Sequence, residues 1–286
     1  MEEVSPTIKK QYNMFIHPKL KYYLGFKDSL VKEKMKERKT FEKLKDTTKK
    51  FVRKVDVERN VVEQVKDEVA TETSIQFCID DKPCFFLNCS PTKIREMATG
   101  YLLSQGVIKS LKEIRQLQVL RGKVCVEVKH NFEDNPQTCR DNGVKKTLDL
   151  LAPETVLNVA QELNMRSIVY KKTGGTHAAA LLNITGEFLV FSEDISRYNA
   201  VDKVIGEAAL KHINLRNKML AITGRVSSEI VMKAANVGIS VIISISAPTD
   251  KGVEVAKKKG ITLVGFTRDR RFNIYAHSEI IEKVFS

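Results

Sequence analysis

The feature that most constrains the fold is a regular alternation of short apolar stretches with longer amphipathic ones in the second half of the chain. The apolar stretches are five or six residues long and predict strands at 178–183, 188–192, 219–223, 240–244 and 261–266. Segments with apolar residues at helical spacing follow, at 198–212, 228–237 and 249–259. Strands that alternate with helices of about ten residues form βαβ units, whose helices cover both faces of a sheet. The sequence therefore predicts an α/β fold.

The preceding part of the chain has a different pattern. Strands are predicted at 73–79, 83–88 and 123–129, and a helix begins with Ser90 as N-cap and Pro91 at its first position. A polar stretch at 130–143 is typical of a loop. We therefore expect a basic extension at 1–60, a smaller α+β domain at 61–138, an inter-domain loop at 139–152 and an α/β domain at 153–286.

Charge is unevenly distributed along the chain. There are 48 Lys and Arg against 35 Asp and Glu, a net charge of +13, and residues 1–60 account for +8 of it. Within this extension, apolar residues at 32–54 have a loosely helical spacing, which predicts an amphipathic helix or a partly ordered tail. A docking arm for an acidic protein or a nucleic acid is the alternative. No RNA- or DNA-binding motif is present, so nucleic acid is not an expected partner.

Neither a membrane span nor a secretion signal is recognisable. The chain has no run of about 18 apolar residues. Residues 1–10 are polar and lack the apolar core of a signal peptide. We therefore expect a cytoplasmic protein that does not associate with a membrane.

The five cysteines are odd in number and contain no CxxC pair, so we expect reduced thiols and neither a disulfide framework nor a four-cysteine zinc site. Four of them lie in or beside apolar strands, where cysteine is most often a small hydrophobic residue. Cys139 lies in the polar loop, and the adjacent Arg140 favours the thiolate. It is a candidate nucleophile or sulfur carrier; a loop cysteine without a role is the alternative.

Polar turns occur where predicted strands meet helices, at 173–177, 193–199 and 223–227. In open α/β sheets such turns gather at one edge, where ligands bind, although ordinary helix capping explains the same residues. A basic segment follows the last parallel strand, and its guanidinium groups suit phosphate, although a solvated turn is the alternative. This candidate cofactor-binding segment consists of Phe266, Thr267, Arg268, Asp269, Arg270 and Arg271.

Several catalytic motifs are missing. The phosphate-binding pattern GxxxxGK[ST] and the hydrolase pattern GxSxG are absent from the sequence. The zinc deaminases need a Glu two residues after their His or Cys and then a PCxxC motif. His177 is not followed by such a Glu, and the segment 83–87, which begins Pro-Cys, is not a PCxxC motif. We expect no metal bound directly by the protein.

Four ordered motifs together resemble the formate dehydrogenase accessory sulfurtransferase family, FdhD. They are TGGTHAAA at 173–180, EDISRYNAVDK at 193–203, TGRVSSE at 223–229 and ITLVGF at 261–266. The segment that ends GYLLSQG at 100–106 is similar to the N-terminal domain of that family. The resemblance covers about 61–286.

The resemblance implies a cytidine-deaminase-like, three-layer C-terminal domain without zinc ligands, and a homodimer. It implies a sulfur carrier that accepts sulfur from a cysteine desulfurase as a persulfide on Cys139. The sulfur would pass to the molybdenum or tungsten of bis-molybdopterin guanine dinucleotide, which is then inserted into formate dehydrogenase. In this comparison the binding segment for the molybdenum cofactor falls on 266–271.

The chain departs from the family pattern at two positions. Asn142 stands where the family loop has its second cysteine, and Tyr198 replaces a histidine. A persulfide on Cys139 would therefore lack a neighbouring thiol in that loop. Two other functions stay open: a chaperone that binds the cofactor without sulfur transfer, and a hydrolytic or deaminase-like enzyme, against which the missing zinc ligands argue.

Overall fold

The computed structural model describes residues 45–80, 82, 84–129 and 150–282. It begins with a two-stranded antiparallel ribbon, β1 (Thr47–Asp56) and β2 (Val61–Ala70). Basic residues of β1 face acidic residues of β2, as in the Lys50–Asp67 and Lys54–Glu63 pairs, which favours this pairing.

This ribbon corrects two expectations. The helical interpretation of 32–54 is wrong from Thr47 onward, because pairing of β1 with the adjacent β2 along its whole length overrides a weak helical spacing. The boundary expected at residue 60 falls inside the turn of the hairpin. The rest of 1–60 lies outside the described residues.

A four-stranded sheet with the order β4-β3-β6-β5 follows. Its strands are β3 (Thr73–Ile79), β4 (Phe85–Cys89), β5 (Ile114–Leu120) and β6 (Lys123–Val128). Helix α1 (Ile94–Ser104) and a single 3₁₀ turn (Leu111–Glu113) connect β4 to β5. Lys93, not the predicted Ser90, precedes the first residue of α1, because Ser90 is buried and its N–H donates to the Asp194 carboxylate at 3.0 Å.

Cys78 and Cys84 form a disulfide across the β3–β4 hairpin. The expectation that all five cysteines are reduced thiols is therefore wrong for this pair. The reason is the strand register: Phe77 pairs with Phe85, so the next two residues, Cys78 and Cys84, face each other.

The larger sheet has six strands in the order β12-β11-β10-β9-β7-β8. They are β7 (His177–Leu182), β8 (Phe188–Asp194), β9 (Met219–Ile222), β10 (Val241–Ser244), β11 (Thr262–Arg268) and β12 (Arg271–Ala276). The helices are α2 (Pro153–Arg166), α3 (Ile168–Thr173), α4 (Arg197–Leu210), α5 (Ser228–Asn236), α6 (Asp250–Lys259) and α7 (Glu279–Glu282). The predicted α/β fold is confirmed.

Helices lie on both faces of this sheet. Val156 and Leu163 of α2 pack on one face against alternate strand residues such as Ala180 and Ala221. The residues between them point to the opposite face, where α4 packs against β7 and β8. This layering agrees with the three-layer expectation, and the cytidine-deaminase-like assignment stays a prediction.

Strand direction decides where the polar turns lie. Strands β9, β10 and β11 are parallel, and β7 is antiparallel to both β8 and β9. The carboxyl ends of β8, β9, β10 and β11 and the amino end of β7 therefore meet at one edge of the sheet.

Helices α1 and α4 join the two sheets by a very close crossing. A Cβ atom added to Gly100 would lie 1.8 Å from the Asp202 carbonyl oxygen, and one added to Gly206 would lie 1.8 Å from the Glu96 carbonyl oxygen. Both positions therefore require glycine, and the crossing sets how closely α1 packs on α4, which itself covers the larger sheet. No helix among the described residues is long and apolar enough to span a membrane.

Candidate functional site

Four of the segments singled out in the sequence lie at the edge of the larger sheet defined above. They are the turn 173–177, which ends at His177 at the start of β7, the turn 193–199 at the end of β8, the turn 223–227 after β9 and the basic segment 266–271 at the end of β11. The structure adds a fifth, the turn 245–249 after β10. We refer to these five segments as the polar edge.

Arg197 is the central cation of the polar edge. Its guanidinium lies over the Tyr198 ring, 4.3 Å from the centroid, and its Nη2 donates to the Tyr198 hydroxyl at 2.6 Å. Gly224 allows this position, because a Cβ there would lie 2.9 Å from Arg197 Cβ and 3.5 Å from His177 Nδ1. The Nε atom of Arg197 is buried without a hydrogen-bond partner among the described residues.

His177 faces the same cations. Burial lowers the pKa of His177, and the positive charges of Arg197 and Arg225 lower it further, against a smaller opposing effect of Asp194. The imidazole is therefore neutral at pH 7, and the positive field of the two arginines is left to act on an anion.

Hydrogen bonds fix the turns of the polar edge relative to one another. Ser244 Oγ donates to the Gly224 carbonyl at 2.8 Å, and Val226 and Pro248 form an isolated parallel bridge. Thr249 caps α6 as predicted, by accepting from the Gly252 N–H at 3.1 Å. Helices α4, α5 and α6 each begin at this edge, and their first N–H groups add positive potential there.

The basic segment 266–271 is part of a hairpin between β11 and β12, and not an open strand end. Asp269 and Arg270 have positive φ angles of 51° and 59° and form its turn, between the paired residues Arg268 and Arg271. These four residues are all exposed, so the three guanidinium groups are available to a ligand.

The first residue of that segment, Phe266, connects it to the turn after β10, and the second, Thr267, is buried. The Phe266 N–H donates to the Ser246 carbonyl at 3.1 Å, with Phe266 at a positive φ of 53°. Its ring lies 5.8 Å below the guanidinium of Arg268. Thr267 is 1% exposed, and its hydroxyl has no partner among the described residues.

A pocket of about 360 Å³ adjoins the polar edge. Residues of β4, α1, α4 and α5 line it, including Phe86, Tyr101, Tyr198, Asp202, Glu229 and Lys233. The hydroxyl of Tyr198 lies 3.2 Å from Ser227 Oγ, so one wall of the pocket is shared with the polar edge. Burial, and then the charges of Asp202 and Glu229, raise the pKa of Tyr101, which keeps its hydroxyl protonated.

Two buried ion pairs lie under this region, and sequence reasoning missed both. Lys203 Nζ lies 2.7 Å from Asp194, and Lys233 Nζ lies 2.9 Å from Asp202. Burial raises the pKa of Asp202, while Lys233 and the Ser104 hydroxyl pull it down. The adjacent charges of 202–203, inside an otherwise apolar helical stretch, were the available sign that a buried pair forms here.

The cysteines differ sharply in environment. Cys139, the predicted sulfur carrier, lies outside the described residues, as does Asn142. Cys89 is fully buried, and burial together with the nearby Asp194 carboxylate raises the pKa of its thiol to about 12, so it is inert at neutral pH. Cys125 is a free, half-buried thiol.

Metal ions in proteins are held by grouped His, Cys, Asp and Glu side chains. Within the part of the chain that the structure describes, no group of three or more His, Cys, Asp or Glu is placed to hold a metal ion.

Comparison with known proteins places these features in a family. The FdhD/NarQ family profile matches residues 70–150 and 133–282. The chain is 30% identical over 251 residues to the sulfur carrier protein FdhD of Bacillus subtilis, which covers 79% of this chain and 95% of that protein. It is 36% identical over 242 residues to the protein of the same name from Staphylococcus haemolyticus, which covers 77% and 91%.

A solved structure agrees. The crystal structure of a putative formate dehydrogenase accessory protein from Desulfotalea psychrophila superposes with a TM-score of 0.67 at 28% identity, covering 82% of this chain and 99% of that one. The profile match, the similar relatives and this shared fold together establish that the chain belongs to the FdhD/NarQ family.

Proposed function

We propose that this protein is a sulfur carrier that serves formate dehydrogenase. The names of its relatives, sulfur carrier protein and formate dehydrogenase accessory protein, support this role. The observation that carries the proposal is the polar edge, where Arg197, Arg225 and the hairpin arginines offer a phosphate-bearing cofactor several cations. The working unit is a homodimer in the cytoplasm.

The chemistry begins at Cys139. Its thiolate attacks the terminal sulfur of the desulfurase persulfide, so the desulfurase cysteine leaves as a thiolate and Cys139 becomes the persulfide. Arg140 stabilises the attacking thiolate. Cys139 then gives the terminal sulfur to the metal of bis-molybdopterin guanine dinucleotide, which supplies the two electrons that turn it into sulfide. The Cys139 thiolate is thereby regenerated.

The basic segment 266–271 orients the cofactor during this transfer. Its guanidinium groups are exposed and can grip phosphate oxygens in a bidentate manner. The helix N-termini at the same edge favour the same charge. The protein holds the phosphates, and the reacting metal belongs to the substrate.

Sulfur acceptance is tested with a cysteine desulfurase and ³⁵S-labelled cysteine. We expect one labelled sulfur on the intact protein, mapped to the peptide that contains Cys139, and no labelling of Cys139→Ala. Cys89→Ala is the matched control, because the buried thiol of Cys89 is protonated at neutral pH and should not contribute. Label on the Cys139→Ala protein, or its full activation of formate dehydrogenase, would disprove the assignment.

Cofactor binding is tested with GDP as the probe. The double variant Arg268→Ala, Arg271→Ala should bind GDP about tenfold more weakly, since a loss of about 1.4 kcal/mol corresponds to that factor. Arg53→Ala with Arg59→Ala, two exposed arginines of the ribbon, is the control. An unchanged GDP affinity in the folded double variant would remove 266–271 from the site.

A chaperone without sulfur chemistry is the second candidate function. Asn142, in place of the second loop cysteine, favours it. The two functions separate cleanly, because a chaperone binds GDP or the cofactor but acquires no labelled sulfur from the desulfurase.

A further inference from the structure

The β3–β4 hairpin, which is not one of the five segments of the polar edge, brings two cysteines together. Cys78 and Cys84 directly follow and precede the last register pair, Phe77 with Phe85, so they face each other across adjacent strands. Facing residues of an antiparallel pair have Cβ atoms about 4.5–5.5 Å apart, so the two thiols stay close even when reduced. The disulfide between them is the oxidised form of this pair.

The two cysteines differ in access to solvent. Cys84 is exposed, whereas Cys78 is only 6% exposed. In thiol–disulfide chemistry an accessible thiol meets the external partner, and a neighbouring, protected thiol completes the exchange. The pair is therefore arranged for an entering sulfur at Cys84 and a resolving attack by Cys78.

This arrangement supplies what the loop around Cys139 lacks. A persulfide releases its outer sulfur when a neighbouring thiol attacks the inner one, and Asn142 leaves the loop without such a neighbour. Among the described residues, Cys78 and Cys84 are the two cysteines linked by a disulfide, whereas Cys89 and Cys125 are free thiols.

We propose that Cys84 and Cys78 form a second sulfur-handling site, in which Cys84 accepts sulfane sulfur from a persulfide donor and Cys78 releases it as sulfide. The Cys84 thiolate attacks the terminal sulfur of the donor persulfide and becomes a persulfide itself. The remaining part of the donor leaves as a thiolate. The Cys78 thiolate then attacks the inner sulfur of the Cys84 persulfide and expels hydrosulfide. The two cysteines lose one electron each to form the disulfide, and the sulfane sulfur gains both.

The site resets when a dithiol reductant, small or protein-borne, returns the disulfide to two thiols. The proposal rests on the sulfur-carrier function, with persulfidated Cys139 as the natural donor. Release of sulfide by Cys84 and Cys78 does not need the cofactor. Sulfur on Cys139 therefore has two routes: transfer to the metal of the cofactor, or release as free sulfide through this pair.

The test uses the full chain, reduced and then freed of reductant, with glutathione persulfide as the donor. Sulfide is trapped with monobromobimane, and disulfides are mapped in non-reducing peptide digests. We expect one equivalent of sulfide per chain above the spontaneous decay of the donor, with formation of the Cys78–Cys84 disulfide. Cys84→Ser should lose this release without a folding defect, because the Cys84 side chain is exposed and contributes little packing.

Two further variants fix the order of events. Cys78→Ala should keep the added sulfur as a stable persulfide on Cys84. Cys125 lies opposite Cys78 on the neighbouring strand β6. The Cys125→Ser variant should nevertheless behave as the wild type. Sulfide release by Cys84→Ser at the wild-type level, a Cys78→Ala protein without persulfide on Cys84, or a disulfide that forms between Cys78 and Cys125 would each overturn the proposal.

This result is independent of the test of Cys139. A Cys139→Ala protein that fails to accept sulfur from the desulfurase but still releases sulfide from glutathione persulfide supports both sites. A wild-type protein that loads Cys139 but leaves Cys78 and Cys84 reduced refutes the second site alone.

Discussion

Asp202 and Lys203 are consecutive residues of α4, and each forms a buried ion pair, yet the two pairs have different surroundings. Lys203 and Asp194 are both fully buried, and backbone groups of Ser90 and Ser196 form hydrogen bonds with them. Asp202 and Lys233 are each 2% exposed and lie in the wall of the pocket beside Glu229. One Lys–Asp ion pair is therefore enclosed by protein, and the other borders a pocket.

The Lys203–Asp194 pair connects three parts of the chain. Asp194 accepts from the backbone N–H groups of Ser90 and Ser196, at 3.0 and 2.8 Å, and Lys203 donates to the Ser90 carbonyl at 3.1 Å. It ties the end of β4 to the polar edge. The Lys233–Asp202 pair has the Ser104 hydroxyl as its other partner and Tyr101 5.3 Å from the ammonium. A charge here can be rehydrated or can meet a ligand, because the pocket is beside it.

The largest expected effect is that of Asp194→Asn. The substitution leaves the Lys203 ammonium enclosed without a counter-charge, and breaking a buried pair in this way costs about 3–5 kcal/mol. The free energy of unfolding, measured by urea denaturation, should fall by that amount. A loss below about 1 kcal/mol, the range of an exposed pair, would show that water reaches Lys203 and would erase the contrast.

Asp202→Asn should cost less, about 2–3 kcal/mol, because Lys233 keeps the Ser104 hydroxyl, the Tyr101 ring and access to the pocket. The same urea titration measures it. If Asp202→Asn destabilises as much as Asp194→Asn, the pocket does not moderate the cost of an unpaired charge.

Ser104→Ala should cost about 1.5 kcal/mol, since its hydroxyl donates to the Asp202 carboxylate at 2.6 Å and bonds to charged groups are the stronger ones. Ser167→Ala is the matched control, because the Ser167 hydroxyl is equally buried but donates to the neutral Leu163 carbonyl. Its loss should be about 0.5–1 kcal/mol. Equal losses would mean that the charge on Asp202 adds nothing to its bond with Ser104.

The smallest effect is expected at the surface of the same helix, from Lys211→Ala. Lys211 is 56% exposed and pairs with Glu207 at 2.6 Å, so the loss at pH 7 should be about 0.5 kcal/mol. Burial raises the pKa of Glu207, but hydrogen bonds from Lys211 and Lys93 outweigh it, and the pKa is lowered. A carboxyl group whose pKa is lowered by folding stabilises the protein at pH values above its unfolded pKa, here 4.5. That stabilisation is lost as the pH falls through the pKa of the folded state.

The stability difference between wild type and Lys211→Ala should therefore be present at pH 7 and vanish well below pH 4.5. Thermal melts over that range measure it. A difference that persists in acid would point to a contribution of the Lys211 side chain other than its charge.

Much of the larger sheet could be predicted because each of its parallel strands is a short apolar run bounded by a helix cap or glycine. Thr249 and Gly260 mark the two ends of α6 as predicted. Strands β1, β2, β5 and β12 were missed. The charged sequences of β1 and β2 carry no regular period of two, and their pairing with each other makes them strands. In β12, Phe272, Ile274 and Ala276 alternate with more polar residues, so a strand signal was present there and was overlooked.

The candidate site was predictable to a smaller extent. The arginines of 266–271 could be placed at a strand end from sequence, and the structure puts them at the edge shared with Arg197. Lys233 could not be singled out, because its burial depends on Asp202, 31 positions away, and on Ser104, 129 positions away. Facing residues of two strands, such as Cys78 and Cys84, likewise become visible only once the register is known.

The crossing of α1 and α4 has a consequence for recognising remote relatives. Backbone oxygens occupy the space where the Cβ atoms of residues 100 and 206 would lie. Gly100 and Gly206, 106 positions apart, therefore form a sequence signature of this crossing. A chain that has lost every arginine and cysteine discussed above, but that retains both glycines in two amphipathic helices, can still build this frame. A chain that replaces either glycine must splay the helices, and a search for the fold can discard it at once.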